Sequence, residues 1–474
     1  MTGNSGQGRR APWKLIFRGR RGLATGIILT AIGLHAIDVF VMSTVMPSVV
    51  MEIGGAAFYA WPTAIYMVAT IVGSASAGPL QAGRGLRFGY IMAAGLFGLG
   101  AVIGGAAPTI GVLIAGRAVQ GWGGGLLLAL SYVLVRTLYP DRLRPRVLAV
   151  LSTLWGVAAL IGPAVGGVFA EIDWWRGAFW CQVPITLVFI VLALRVVPRA
   201  ATGKRRAAFP VAAISLLCGG AIAVAAAGNV AIAAGKAGLI ALGVLMVVLA
   251  LRRDRGGANP MFPSGAFVPA FAPGAMHWVF LLIAMAPTGV GIFLPLAMQS
   301  LHGFSPLEAG YFGCLLALGW TTSAVAASGL HDRGVRRALM IGPFLTGASL
   351  LTASFLIDQS PPWVFGPLLA LGGSGIGMCL PHYTTRIMRV ARRGEEAVTA
   401  SSVTTVRSLG VAFGSALAGM IANLAGLTGG LEPAAIARAA HWVIAFAGGA
   451  PLIAGCIALW LVARHGREMG LTRR

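Results

Sequence analysis

Apolar residues along this chain come in runs of about 20, enough for a helix to cross a hydrocarbon core of roughly 30 Å, and short polar stretches separate the runs. Fourteen segments follow from the pattern: about 23–47, 58–79, 88–107, 109–136, 147–170, 177–197, 209–228, 230–251, 274–300, 306–328, 337–357, 363–385, 398–424 and 438–464. Helices are expected because a spanning helix satisfies its own backbone hydrogen bonds where water is absent. Basic loops stand on both sides of Phe209–Leu251, so an even number of crossings lies between them, which predicts a hairpin turning near Asn229.

An internal repeat divides the rest. The fifth segment contains TLWGVAALIGPAVGGVFA, Thr153 to Ala170, and the thirteenth contains TVRSLGVAFGSALAGMIA, Thr405 to Ala422; one offset aligns Gly162 with Gly414 and Gly167 with Gly419. Two related bundles with a substrate path between them are the parallel-repeat plan of many secondary transporters. The expected organisation is a basic tail (1–21), a six-helix bundle (22–198), a two-helix linker hairpin (207–252), a second six-helix bundle (272–465) and a short tail (466–474). The fold class is an all-α membrane protein with 14 transmembrane helices.

Composition supports that picture: 57% of the 474 residues are hydrophobic and 10% charged, with a mean hydropathy of +0.83, against about 25% charged residues in a soluble domain. The net charge of +23 suggests nucleic acid until the basic residues are placed. They lie in the N-terminal tail, in alternate loops, and after the last segment: 31 of the 36 fall on one face if the segments cross in pairs. That is the positive-inside pattern. It predicts a cell (inner, cytoplasmic) membrane protein with both termini cytoplasmic, anionic lipids at that face, and no nucleic-acid partner. Cys181, Cys218, Cys314, Cys379 and Cys456 stand singly with no metal-ligand spacing, so neither disulfides nor a metal are expected. The first apolar run follows a basic tail and is too long for a cleavable signal.

Several separated motifs resemble the major facilitator superfamily, specifically its fourteen-helix drug:proton antiporter branch. RAVQGWGGG, Arg117 to Gly125, is similar to the fourth-helix motif, in which an intramembrane arginine and glutamine (here Gln120) precede close-packing glycines. GVAALIGPAVGG, with Gly156, Gly162, Pro163, Gly166 and Gly167, resembles the fifth-helix motif associated with exporters. FLPLAMQSLHGFSPLEAG, Phe293 to Gly310, which includes Gln299, looks like the stretch opening the second half, and DWWRGAFWCQVPI, Asp173 to Ile185, like the entry to helix six. The resemblance implies the major facilitator fold. One motif departs from the family: the loop GPLQAGRGLR keeps Gly78, Arg84 and Arg87 but has Ala82 and Gly83 where an Asp-Arg pair is expected, whereas the matching loop of the second half keeps Asp332 and Arg333. In the family that pair belongs to a charge network latching one conformation. A surface ion pair contributes only about 0–1 kcal/mol, so its loss need not abolish transport.

Without the family, the glycines of the fifth segment allow close helix approach, and Pro163 weakens the helix at its middle. Ionisable groups within a membrane cost ~2.5–3.5 kcal/mol or more, which makes each a functional candidate. Of the thirteen acids, twelve fall in loops or at helix ends; Asp38 alone lies within a predicted membrane core. It sits ~22 Å along the first helix. Arg117 lies at similar depth on the antiparallel fourth helix, so the two can interact, and His35 shares the face of Asp38. With the family's packing, the pair faces the cavity. Burial favours the neutral acid and Arg117 the carboxylate, so opening to either side alters the balance. The alternative on these residues is that Asp38 only anchors Arg117 or His35.

Weaker cavity candidates are Trp155, Gln299, His382, Tyr383 and Arg407; His382 also reads as a satisfied interface histidine, and Arg407 as a snorkelling cation. The run Gly121 to Gly125 is no phosphate loop, since no Lys-Ser/Thr follows it. No catalytic constellation stands out, so neither an enzyme nor a cofactor is expected. The function expected is proton-coupled antiport exporting a small amphipathic drug or metabolite by alternating access, in a monomer whose partners are its substrate, protons and the bilayer. Uptake by the same fold, or a transporter-shaped sensor that moves nothing, are the rival readings.

Overall fold

Each apolar run becomes helix. The computed structural model describes residues 13–140, 143–198, 210–255, 257, 260–466 and 468–469. The basic positions Arg9, Arg10, Arg142, Arg199, Lys204, Arg205, Arg206, Arg467, Arg473 and Arg474 lie outside the described residues, as do Asp141 and the lead-in to the linker at 207–209.

The helices are α1 (Gly19–Ile53), α2 (Trp61–Arg84), α3 (Leu86–Gly105), α4 (Ile110–Leu138), α5 (Arg144–Glu171), α6 (Gly177–Trp180), α7 (Gln182–Val196), α8 (Val211–Ala227), α9 (Ala233–Arg255), α10 (Ala272–His302), α11 (Pro306–Ala327), α12 (Asp332–Leu356), α13 (Pro362–Arg389), α14 (Glu396–Leu424) and α15 (Pro433–His465). The sixth run is split in two at Cys181. Pro184 explains the break: it lacks an N–H, and its ring opposes the carbonyl of Trp180 four residues back. Taken together, Gly177–Val196 is one of thirteen stretches, among the described residues, that are long and apolar enough to cross a membrane, and the shorter Val211–Ala227 brings the expected segments to fourteen. The helix α5 runs unbroken through Pro163.

Packing repeats along the chain. Within the first half α1 lies on α5, α2 on α4, and α3 on α4 and α7; within the second, α10 lies on α14, α11 on α13, and α12 on α13 and α15. The halves meet where α5 packs on α11 and α2 on α14, while the α8–α9 hairpin leans on α2 and α14.

The repeated glycines explain the geometry. A Cβ on Gly162 would lie 2.4 Å from Cβ of Phe40 in α1, and one on its counterpart Gly414 2.9 Å from the Met285 carbonyl in α10, so both seat a helix within its own half. One on Gly167 would lie 2.6 Å from Cα of Leu307, and one on Gly419 2.8 Å from Cβ of Ala60. That second pair joins the halves, on the face away from the chain termini. There Val45, Tyr59 and Trp175 of the first half share a buried cluster with Phe293, Leu296 and Ala422 of the second. On the termini face the first half has a separate core, including Ile28, Tyr90, Leu130 and Phe189, which takes in nothing from α10–α15. Among the described residues, hydrogen bonds there include Tyr139 to the Arg21 carbonyl within the first half and Arg386 to Asp332 within the second, while Ser264, in the linker's return, bonds Glu395. Among the described residues the halves are joined at the far face and at mid-depth, where Tyr66 and Ile71 of α2 share a buried cluster with α10, and no buried first-half residue nearer the termini enters that cluster.

Candidate functional site

Asp38 in α1 and Arg117 in α4 are brought together as their depths predict. Arg117 Nη1 donates to Asp38 Oδ2 at 2.6 Å, with both side chains 1% exposed. The pair does not face the gap between the halves, which corrects the expectation that it lines the cavity. It is packed inside the first six crossings because Gln182, at the start of α7, closes the side left by α1 and α4. Asp38 Oδ1 accepts from Gln120 Nε2 at 3.0 Å and from Gln182 Nε2 at 3.2 Å, and Arg117 Nη1 also donates to Gln120 Oε1 at 2.6 Å. A buried ion pair is tolerated only when its remaining hydrogen-bonding capacity is satisfied. Three donors on one carboxylate meet that condition, although Arg117 Nε finds no partner among the described residues.

His35 lies one turn before Asp38 but bonds elsewhere: its Nδ1 is 2.7 Å from the Tyr66 hydroxyl of α2. The same Tyr66 ring lies under Arg117, whose guanidinium carbon is 4.0 Å from the centroid. A Cβ on Gly124 would come within 2.8 Å of both the His35 nitrogen and the Tyr66 hydroxyl, so α4 needs a glycine for the two to meet. The contacts continue outward. His35 meets Trp155 of α5 edge-on with ring centroids 5.9 Å apart, and Trp155 lies under Arg407 of α14 at 4.9 Å. Trp320 of α11 flanks the same guanidinium at 5.9 Å. A continuous chain of contacts thus runs from Asp38 through Arg117, Tyr66, His35 and Trp155 to Arg407 in the other half.

The remaining sequence candidates divide. Gly156, Gly162, Gly166 and Gly167 all face neighbouring helices: Gly156 toward Thr321, Gly166 against Val41 and Thr44. Pro163 packs over Gly310 of α11. The stretch the sequence reads as a loop is helical but for Gly85: Gly78, in α2, is exposed, Arg84 ends α2 and lies over the Phe88 ring at 5.0 Å, and Arg87, in the first turn of α3, donates to the Val197 carbonyl at 2.6 Å. That main-chain anchor ties the start of α3 to the end of α7. In the second half, Asp332 accepts from Arg386 of α13 at 3.5 Å, and Arg333 is exposed. His382 bonds the Ala327 carbonyl at 3.2 Å and Tyr383 donates to the Leu339 carbonyl at 3.0 Å; both tie α13 to its neighbours and neither reaches the Asp38 chain. Gln299 does not join it either, and its Nε2 has no partner among the described residues.

Tyr66, Gln182 and Trp320 belong to the chain of contacts but were not singled out by the sequence. Gln182 had a signal, a lone amide inside the apolar run WCQVPI, and Tyr66 a weaker one, a phenol inside IYMVATIV. Asp254 is another surprise. It lies at the end of α9, among the acids the sequence places in loops or at helix ends, yet it is 6% exposed, and its carboxylate accepts from the backbone N–H groups of Met261 at 2.7 Å and Phe262 at 3.0 Å. Those donors make it a cap for the linker's return. Among the described residues no cluster of three or more His, Cys, Asp or Glu forms.

The family model described as Major Facilitator Superfamily matches residues 28–415. A probable multidrug-efflux transporter of Mycobacterium tuberculosis is 32% identical over 422 residues, covering 85% of this chain and 88% of its own. The puromycin resistance protein of Streptomyces alboniger is 29% identical, covering 84% and 81%. Among solved structures, a peptide transporter superposes with a TM-score of 0.70 at 14% identity, covering 94% of this chain and 95% of its own; that likeness concerns the fold.

Proposed function

The chain belongs to the major facilitator superfamily, a multi-pass membrane protein of that fold, and from this we propose that it is a proton-coupled antiporter exporting a small amphipathic drug or metabolite by alternating access. The relatives named for multidrug efflux and puromycin resistance support export of drug-like molecules. The excess of Lys and Arg on the termini side supports an inner-membrane orientation with both termini in the cytoplasm, next to anionic lipid. On this orientation the far face is extracytoplasmic and the gap between the halves opens to the cytoplasm, ready to take substrate from inside.

The single observation that carries the proton-coupling reading is the buried Asp38–Arg117 pair with its two glutamines. A carboxylate kept from water by Gln182 and the helices around it exchanges protons only when those helices part. Parting the far-face contacts loosens α1 against α10, which lets Asp38 take a proton from outside and frees Arg117. Reclosure of that face and opening of the other restore the pair and release the proton inside. Tyr66 and His35 lie between this event and the gap, so that a ligand moving Trp155 is felt at Arg117. Gln299 lies outside this path, and the chain works as a monomer.

One proton crossing ~150 mV supplies ~3.5 kcal/mol, enough to hold a gradient of roughly 300-fold for a neutral substrate. The test is reconstitution in vesicles with an imposed pH gradient, following amphipathic dyes and puromycin. The parent protein accumulates at least one compound against its gradient, and Asp38→Asn carries it only downhill. Equal uphill transport by Asp38→Asn rules out this coupling role.

A further inference from the structure

Five basic residues lie outside the clusters on the termini face, and four are neutral in context or at the surface. Arg117 has Asp38, Arg176 has Glu52, Arg438 donates to the Ala425 carbonyl near a helix end, and Lys236 stands in the first turn of α9. Arg407 is different. It sits about 16 Å into α14, in mid-span, and among the described residues its guanidinium has no carboxylate within salt-bridge distance and no hydrogen-bond acceptor. What it does have is two aromatic faces, Trp155 at 4.9 Å and Trp320 at 5.9 Å. A cation in the middle of a membrane is costly and ordinarily finds a partner or lines a watery cavity.

The geometry says where the missing partner comes from. Trp155 is carried by the first half and Trp320 and Arg407 by the second, so the three side chains meet across the gap between the halves. This meeting lies on the open side of the seal that Gly167 and Gly310 make at the far face. A guanidinium presents a fork of N–H donors that matches a planar oxyanion with two parallel bonds. Stacking on indole holds that fork in place while its edge stays free, and the indole faces add a flat apolar wall beside it.

We propose that Arg407 is the anchor of the substrate site and takes the carboxylate of an anionic amphipathic molecule whose apolar body lies against Trp155 and Trp320. This deepens the export reading and rests on it for the transport step, though not for binding. A bound anion supplies the countercharge that the protein leaves out, and its body touches the tryptophan whose edge meets His35, which connects the substrate site to Asp38. An anion leaving as a proton enters moves two charges in the same sense, so export of such a substrate is electrogenic.

The test uses the whole chain in lipid nanodiscs and three probes of one shape: 1-pyrenebutyrate, its neutral amide and the matching primary amine, read by energy transfer from the tryptophans. The parent protein binds the carboxylate at least tenfold more tightly than the amide, and the amine least. Arg407→Gln binds carboxylate and amide equally, and Arg407→Lys keeps part of the preference. Preference for the amine, no discrimination in the parent, no saturable binding of pyrenebutyrate, or discrimination surviving Arg407→Gln each overturns the proposal. The ranking in the parent decides the matter alone if Arg407→Gln does not fold. Coupled transport without carboxylate preference leaves antiport standing and removes the anion site; carboxylate preference in a protein that shows no uphill transport does the reverse.

Discussion

Arg117 meets Asp38 at 2.6 Å in a place where each side chain is only 1% exposed. Removing one charge therefore leaves the other stranded. Asp38→Asn or Arg117→Met alone lowers stability by about 3–5 kcal/mol, whereas the double variant recovers most of that loss, because two neutral side chains need no compensation. Thermal unfolding in detergent measures the difference. Uphill transport stays absent in all three, which separates the pair's role in coupling from its role in folding.

Tyr66 serves two neighbours with different parts of the same side chain. Its hydroxyl meets His35 Nδ1, and its ring carries the Arg117 guanidinium. Tyr66→Phe keeps the ring and leaves His35 without a partner on that side, a cost of about 1–3 kcal/mol. Tyr66→Leu also forfeits the cation–π contact, about 2 kcal/mol more at a desolvated site. Melting temperatures fall in the order parent, Tyr66→Phe, Tyr66→Leu; equal stability of the two variants contradicts the cation–π assignment.

The repeated glycines predict opposite consequences from one kind of substitution. In Gly167→Ala the new methyl falls 2.6 Å from Leu307 Cα, across the seam between the halves. In Gly162→Ala it falls 2.4 Å from Phe40 Cβ, within one half. Gly167→Ala forces the far face apart, so a cysteine placed at Leu296, in the far-face cluster, becomes reactive toward a maleimide. Gly162→Ala loses about 1–3 kcal/mol of stability to overpacking and leaves that labelling unchanged. The same reactivity in both variants means that the glycines are not divided between seam and bundle.

Most of this architecture was legible because its causes are local or periodic. Segment lengths answer to the hydrocarbon thickness, and the spacing of Gly162 and Gly167 reappears at Gly414 and Gly419, so helix count and repeat can be read from the chain. Asp38 stood out because a charge in an apolar run is rare. Its enclosure was not legible: whether Asp38 faces the gap or the bundle interior depends on Gln182, which is 144 positions away and whose orientation depends on the break before Pro184. The burial of Asp254 was not legible for a related reason. A residue beside Arg252, Arg253 and Arg255 looks solvated, and only the return of the chain at Met261 and Phe262 buries it.

The linker hairpin is held at its turn. Its turn residue, Asn229, accepts from Trp61 Nε1 at 3.0 Å and donates to the Ala57 carbonyl at 2.9 Å, while Asn423 of α14 donates to the same carbonyl at 2.8 Å. One carbonyl, in the short 3-10 turn Ala56–Phe58 that precedes α2, thus ties the hairpin and the second half to the first half, at the far face. Asn229→Ala removes two neutral hydrogen bonds and Asn423→Ala one, each bond contributing about 0.5–1.5 kcal/mol. Because opening the far face must break the Asn423 bond, Asn423→Ala favours the outward-open state, read as faster maleimide labelling at Leu296→Cys. Asn229→Ala unties only the hairpin from α2, so it lowers the melting temperature without changing that rate. Faster labelling in Asn229→Ala assigns the hairpin a part in the gate itself.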